Sequence, residues 1–182
     1  MSLRRYGSGY YKKARWSSNI GSFRIICTKN DWSAQDEDLV TLYRYEPLCL
    51  NPAQSNQTVS QEFTVKNVEI QLVCQSRQYD KLDDITIYIM FRPQGMNVDD
   101  TYPESHPEFI LAWRFMGQCE DGGASNARNA VVVKSRLARK LNTGDSIILY
   151  VKYNDNKEVN QNQFVNHTLM VNGVVRWNTK AN

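Results

Sequence analysis

The strongest constraint on how this chain can fold is a period of two. Apolar and polar residues alternate over short segments: Phe23, Ile25 and Cys27; Ile85, Ile87, Ile89 and Phe91; Ile147, Leu149, Val151 and Tyr153. Successive side chains of a β-strand point to opposite faces, so this pattern belongs to strands with one buried face, and helical periodicity is scarce. Eight strands are expected, near 20–28, 39–45, 62–74, 84–92, 108–116, 129–135, 145–153 and 165–177. In the fifth, Phe109, Leu111, Trp113 and Phe115 are expected to share the buried face.

Where the alternation slips, it is still informative. In 62–74 the apolar positions switch from Phe63 and Val65 to Val68, Ile70 and Leu72, and a β-bulge at Lys66-Asn67 keeps both halves on the core. Asn172-Gly173 is a strong hairpin dipeptide. A two-residue turn there would nevertheless send Arg176 inward with Val174, whereas one unbroken strand keeps Val165, Leu169, Val171, Val175 and Trp177 together. A single long strand is therefore expected. The segment Ser135–Leu141, with Leu137 and Leu141 four apart, reads either as a helical turn or as an irregular strand end. Long polar connections at 46–61, 93–107 and 117–128 suit a sandwich whose strands cross between sheets more than a meander of tight hairpins.

The 182 residues make one domain without a linker or repeat, and 41% hydrophobic with 11% aromatic residues is enough for a real core. The net charge of +3 averages two unlike parts. Residues 1–30 hold Arg4, Arg5, Lys12, Lys13, Arg15, Arg24 and Lys29 and no acid, which leaves 15 of the 22 basic residues against all 19 acids beyond, a net of −4. No apolar run approaches the roughly 20 residues that span a bilayer, and the first residues lack a signal-peptide stretch, so a soluble chain that is not co-translationally secreted is expected, with no membrane partner. Cys27, Cys49, Cys74 and Cys119 have no Cys-x-x-Cys spacing and are expected as reduced, mostly core residues.

The chemistry-bearing segment is the start, Arg4-Arg5-Tyr6-Gly7-Ser8-Gly9-Tyr10-Tyr11-Lys12-Lys13-Ala14-Arg15-Trp16. Arg4, Arg5, Lys12, Lys13 and Arg15 can neutralise phosphates, while Tyr10, Tyr11 and Trp16 offer rings for unstacked bases, a combination suited to sequence-independent single-strand binding. A solvated basic tail or a nuclear-import signal is the competing reading, and one arm can serve both roles. The expected division is an arm over 1–19 and a body over 20–182. A second basic cluster comprises Arg128, Lys134, Arg136, Arg139 and Lys140. It extends the binding surface, pairs with an acidic loop of a neighbour such as Asp99-Asp100, or is plain solvated surface.

Enzyme signatures are poor. Gly-x-Ser-x-Gly, Walker and His-x-x-x-His patterns are missing, and His106 and His167 are expected to be structural. Asp83-Asp84 and Asp99-Asp100 are expected at turns for backbone reasons. No catalytic residue, metal or cofactor is expected.

A basic, tyrosine-containing arm ahead of about eight strands resembles the capsid proteins of small circular single-stranded DNA viruses, the circovirus-like or CRESS group. Thr86-Ile-Tyr-Ile-Met-Phe-Arg-Pro-Gln-Gly95 looks like the strand-then-Pro-x-Gly stretch of such capsids. Pro107-Glu-Phe-Ile-Leu-Ala-Trp-Arg-Phe115 and Lys134-Ser-Arg-Leu-Ala-Arg-Lys-Leu-Asn-Thr-Gly-Asp-Ser-Ile-Ile-Leu149 are similar to segments of unclassified members. The resemblance implies an all-β, eight-stranded antiparallel jelly-roll sandwich, with strands B to I forming sheets BIDG and CHEF. It further implies self-assembly into an icosahedral T=1 shell around a circular single-stranded DNA genome, the arm facing inward, in a virion; single-stranded RNA is the alternative partner, and passage through the host nucleus during assembly is expected. Trp32, Tyr79, Met96 and Tyr102, in or beside the long loops, are expected to supply contacts between copies. The arm departs from the family by being short: a shell of roughly 60 copies would bring only about 300 arm cations, one per phosphate neutralised. Two other functions use the same residues. A single-strand-binding β-barrel that forms no shell needs the arm alone, and a carbohydrate-binding sandwich leaves the arm unexplained.

Overall fold

The computed structural model describes residues 16–28, 40–50, 63–77, 82–119, 129–155 and 168–181. Among them run β1 (Ser17–Thr28), β2 (Val40–Leu50), β3 (Phe63–Arg77), β4 (Leu82–Arg92), a one-turn helix α1 (Tyr102–Ser105), a 3-10 turn over Pro107–Phe109, β5 (Ile110–Cys119), β6 (Asn129–Ser135), β7 (Arg139–Leu141), β8 (Ser146–Asp155) and β9 (Thr168–Ala181). All pairings are antiparallel, and the strands form two sheets, β1-β9-β3-β6 with β7 added beside β3, and β2-β8-β4-β5. Lettering the eight long strands B to I in chain order turns these paths into B-I-D-G and C-H-E-F. The fold is the eight-stranded jelly-roll sandwich. Ser135–Leu141 is an irregular strand end and not a helical turn: after a three-residue link β7 continues the edge begun by β6, burying Leu141 and leaving Leu137 exposed.

The core lies between the sheets, where alternate residues of each strand meet: Ile70, Leu72 and Cys74 from β3, Ile85, Ile87 and Ile89 from β4, Ile147, Leu149 and Val151 from β8, and Leu169, Val171 and Val175 from β9. Each such aliphatic side chain stabilises the fold by about 1.5–3 kcal/mol relative to exposure. Cys49 and Cys74 are buried thiols of this core, and burial pushes the Cys49 thiol up to about 12. Among the described residues no helix is long and apolar enough to cross a membrane.

The parity slip in β3 is a bulge, with register broken between Lys66 and Glu69 and Asn67 at φ 53°. Asparagine tolerates this left-handed backbone better than most residues. Val65 and Val68 are both buried as a result. β9 likewise runs unbroken through Asn172-Gly173. Glycine is needed there for space, since a Cβ would stand 2.5 Å from the Gln71 carbonyl oxygen and 2.6 Å from the Phe23 ring.

Two expectations are corrected. The fifth strand begins at Ile110, and its register against β4 shifts between the pairs Met90–Ile110 and Ile89–Ala112, so Leu111 is an extra residue. Beyond that bulge Ala112 packs toward the core while Trp113 and Phe115 point outward, 61% and 53% exposed. Asp83-Asp84 lies inside β4 instead of at a turn, at a second register shift where Asp84 has φ 54°.

Gly173→Ala is expected to cost about 1–3 kcal/mol through overpacking against β3. A urea midpoint equal to that of the unsubstituted protein would show that β3 and β9 do not approach this closely.

Candidate nucleic-acid and assembly surfaces

Of the arm residues expected to bind nucleic acid, Arg4, Arg5, Tyr10, Tyr11, Lys12, Lys13 and Arg15 lie outside the described residues. Trp16 is the exception. It immediately precedes β1, is partly exposed, and carries the Lys66 ammonium 3.8 Å above its ring centroid. The β3 bulge makes this contact possible. In an unbulged strand Lys66 and Val68, two residues apart, would share a face, and burying Val68 would carry Lys66 inward. Lys66 was not among the sequence-derived candidates, although its place at the parity slip marked it as a residue directed away from the core.

The second basic cluster is divided by the fold. Lys134 stands on the outer face of β6 and pairs with Glu69 at 3.0 Å. The Glu69 carboxyl is held below the usual carboxylate range, first by the Gln71 side-chain hydrogen bond and then by Lys134. Lys140, on β7, is exposed on that same outer face, and Arg136 is exposed in the link before β7. Arg139 turns the other way, with its guanidinium 4.1 Å from the Phe91 ring centroid at one end of the sandwich. Arg128 lies outside the described residues. Asp145 closes the adjacent turn, its carboxylate oxygens accepting from the Gln94 and Asn142 backbone N–H groups at 3.0 and 2.8 Å.

The outer face of the β2-β8-β4-β5 sheet is covered in part by the chain's own segment 93–109. Tyr43 and Tyr150 stack at 5.7 Å, Tyr88 meets Tyr150 edge-on at 6.0 Å, and Tyr102 lies over Tyr150 at 6.5 Å. Each ring that reaches the segment also holds it by a hydroxyl. Tyr150 donates to the Asp99 carbonyl at 2.9 Å, Tyr43 to Val98 at 3.3 Å, and Tyr102 to Phe91 at 3.1 Å. Lys152 adds an ion pair to Glu104 at 2.6 Å. Asp99 is an Asx turn, accepting from the Thr101 N–H and hydroxyl. Tyr102 and Met96, expected to contact other copies, instead belong to this second cluster, Tyr102 fully buried and Met96 packed against it. Trp32 and Tyr79 lie outside the described residues.

His106 stacks on Phe109 at 5.2 Å with Nδ1 3.4 Å from Glu108, which places it in a structural aromatic cluster. His167 lies outside the described residues. Among the described residues no group of three His, Cys, Asp or Glu side chains converges to hold a metal ion.

No protein-family model and no curated protein matches the chain. Solved structures do. It is similar at 8% identity to the BFDV capsid protein in its 60-mer form, over 94% of this chain and 96% of that one, with a TM-score of 0.42. The decameric form of the BFDV capsid protein aligns over 91% and 99% at 8% identity, with a TM-score of 0.40. The structure of infectious bursal disease virus Gx strain aligns over 92% of this chain and 36% of that one at 8% identity, with a TM-score of 0.33. The jelly-roll assignment rests on the chain's own strand order.

Burial pushes the Tyr102 hydroxyl up to about 12 and moves Tyr150 in the same direction. An unfolded tyrosine ionises near pH 10, so between about pH 10 and pH 12 the unfolded chain sheds protons that the folded chain keeps. Stability contributed by these hydroxyls is complete below pH 10 and falls as the pH rises through that window. Tyr102→Phe is expected to cost about 1 kcal/mol at pH 7 and to flatten the alkaline loss, read from urea midpoints at both ends of the window.

Proposed function

We propose that this chain is a non-enzymatic viral coat protein whose copies assemble into a small icosahedral T=1 shell around circular single-stranded DNA, with the basic arm directed inward. The observation that carries the reading is where apolar surface remains exposed. The exposed large apolar residues among the described ones are Trp16, Ile20, Ile26, Trp113, Phe115, Val132 and Leu137. They sit on or beside the edge strands: β1 and β6 with its β7 continuation at the two edges of one sheet, β5 at an edge of the other. Edge strands are where a lone sandwich is most exposed to pairing and aggregation, and soluble monomers guard them with charge or proline. Here they carry apolar side chains, as surfaces meant to be covered do. The apolar edges differ from one another, so copies would meet head to tail, and such contacts close into a finite assembly when their rotations close.

The arm supplies the interior chemistry. Five cations and four rings ahead of β1 neutralise phosphates and stack bases without sequence preference. The same basic sequence serves as a nuclear-import signal before assembly, which places the protein in the host nucleus and then in the virion.

Electron microscopy of purified protein is expected to show uniform shells. Protein that elutes as a small species at every salt concentration, with no shells, would overturn the coat-protein reading and leave a single-strand-binding sandwich. Trp113→Glu with Phe115→Glu is expected to keep the circular dichroism of the fold and abolish particles. Deleting residues 2–16 is expected to leave the body folded and to lower co-purifying nucleic acid, measured by the 260/280 nm absorbance ratio.

A further inference from the structure

The arm alone brings too few cations for a genome, and the body as a whole is acidic. The register of the β1-β9-β3-β6 sheet shows where its cations collect. On the face turned away from the core, Arg24 stands opposite Asn172, Lys66 opposite Asn178, and Thr64 lies between Lys180 on one side and Lys140 on the other. Arg176, opposite Ile20, shares its row with Glu69 and Lys134. Among the described residues Glu69 is the single acid on this face, and it is already engaged by Lys134 and by Gln71 at 2.7 Å. Neighbouring strands lie about 4.8 Å apart and diagonal partners such as Lys66 and Lys180 about 7 Å, so one flexible polyanion can touch several of these cations at once.

Trp16 stands at the same corner, with Lys66 over its ring, where the arm joins the sheet. We infer that the outer face of this sheet is the second half of a single-stranded nucleic-acid site, with phosphates held by Lys66, Arg176, Lys180 and Arg24 and a base stacked at Trp16. The inference rests on the reading that this chain holds single-stranded nucleic acid. A nucleic acid fits the face better than an acidic protein segment, because the ring beside the cations and the aromatic, basic arm joined to it match alternating bases and phosphates. Among the described residues the opposite sheet has no equivalent, since its outer face is covered in part by segment 93–109 and its Lys152 is taken by Glu104. The site also supplies a reason for Lys66 to rest on Trp16. In the free protein the ammonium covers the ring, and an incoming nucleotide offers the ring a base and the ammonium a phosphate.

The test uses the full-length chain freed of nucleic acid at high salt and a fluorescein-labelled oligo-dT of about 20 nucleotides, followed by anisotropy across a salt series. Lys66→Gln with Arg176→Gln and Lys180→Gln is expected to make the slope of log affinity against log salt shallower by about 2, at about 0.7 for each phosphate no longer neutralised. Trp16→Ala is expected to weaken binding about ten-fold with an unchanged slope, as loss of stacking without loss of charge. Arg44→Gln with Arg114→Gln, exposed positions on the other sheet, is expected to leave the slope alone. A triple variant with the original slope, in a protein whose binding disappears on deleting residues 2–16, would overturn the inference and leave the coat-protein reading standing. An equal change in the Arg44 and Arg114 control would overturn it too, as an effect of net charge. Failure of the unsubstituted chain to bind oligo-dT at low salt would remove the nucleic-acid reading itself.

Discussion

The period of two along a strand admits no partial compliance: a one-residue slip reverses the face of every side chain that follows. In this chain the slips decide which surfaces exist. The extra residue Asn67 lets β3 bury Val65 and Val68 together while Lys66 stays outside beside Trp16. The extra residue Leu111 does the reverse for β5, releasing Trp113 and Phe115 from the core in which their alternation with Phe109 would place them. The placement of Lys66 on the outer face and of the exposed rings on β5 both follow from where these two residues are inserted.

The two sheets therefore present unlike outer faces. One is covered in part by a segment held by three tyrosine hydroxyls, each donating to a backbone carbonyl. The other carries polar side chains, spaced cations and, toward its edge strands, the apolar Ile20, Ile26 and Val132, and meets the arm at Trp16. A sandwich with one partly covered face, one face bearing spaced cations and apolar residues on or beside its edge strands presents chemically unlike surfaces in different directions.

Much of this was legible before any tertiary structure. Alternation located the eight long strands, and parity alone kept β9 whole through Asn172-Gly173 against a strong turn signal. Gly173 shows why the signal misled: the glycine serves the close approach of β3 and Phe23, a requirement that local turn statistics do not contain. The charge asymmetry and the arm were likewise plain in the sequence. The second basic cluster was not. Lys134, Arg139 and Lys140 are neighbours in the chain, yet a pleated backbone sends Arg139 onto Phe91 and Lys140 to the opposite side.

The sequence by itself determined the fold class, because one-sided strands with almost no helical segment to cover them are buried against another sheet, and it determined that a basic, aromatic segment precedes the first strand. Only the tertiary structure decided which cations share a face. Arg24, Lys66, Arg176 and Lys180 are scattered over more than 150 residues of chain, and they meet because β1, β9 and β3 are adjacent in one sheet. Sheet order is set by long-range pairing, and no local pattern encodes it.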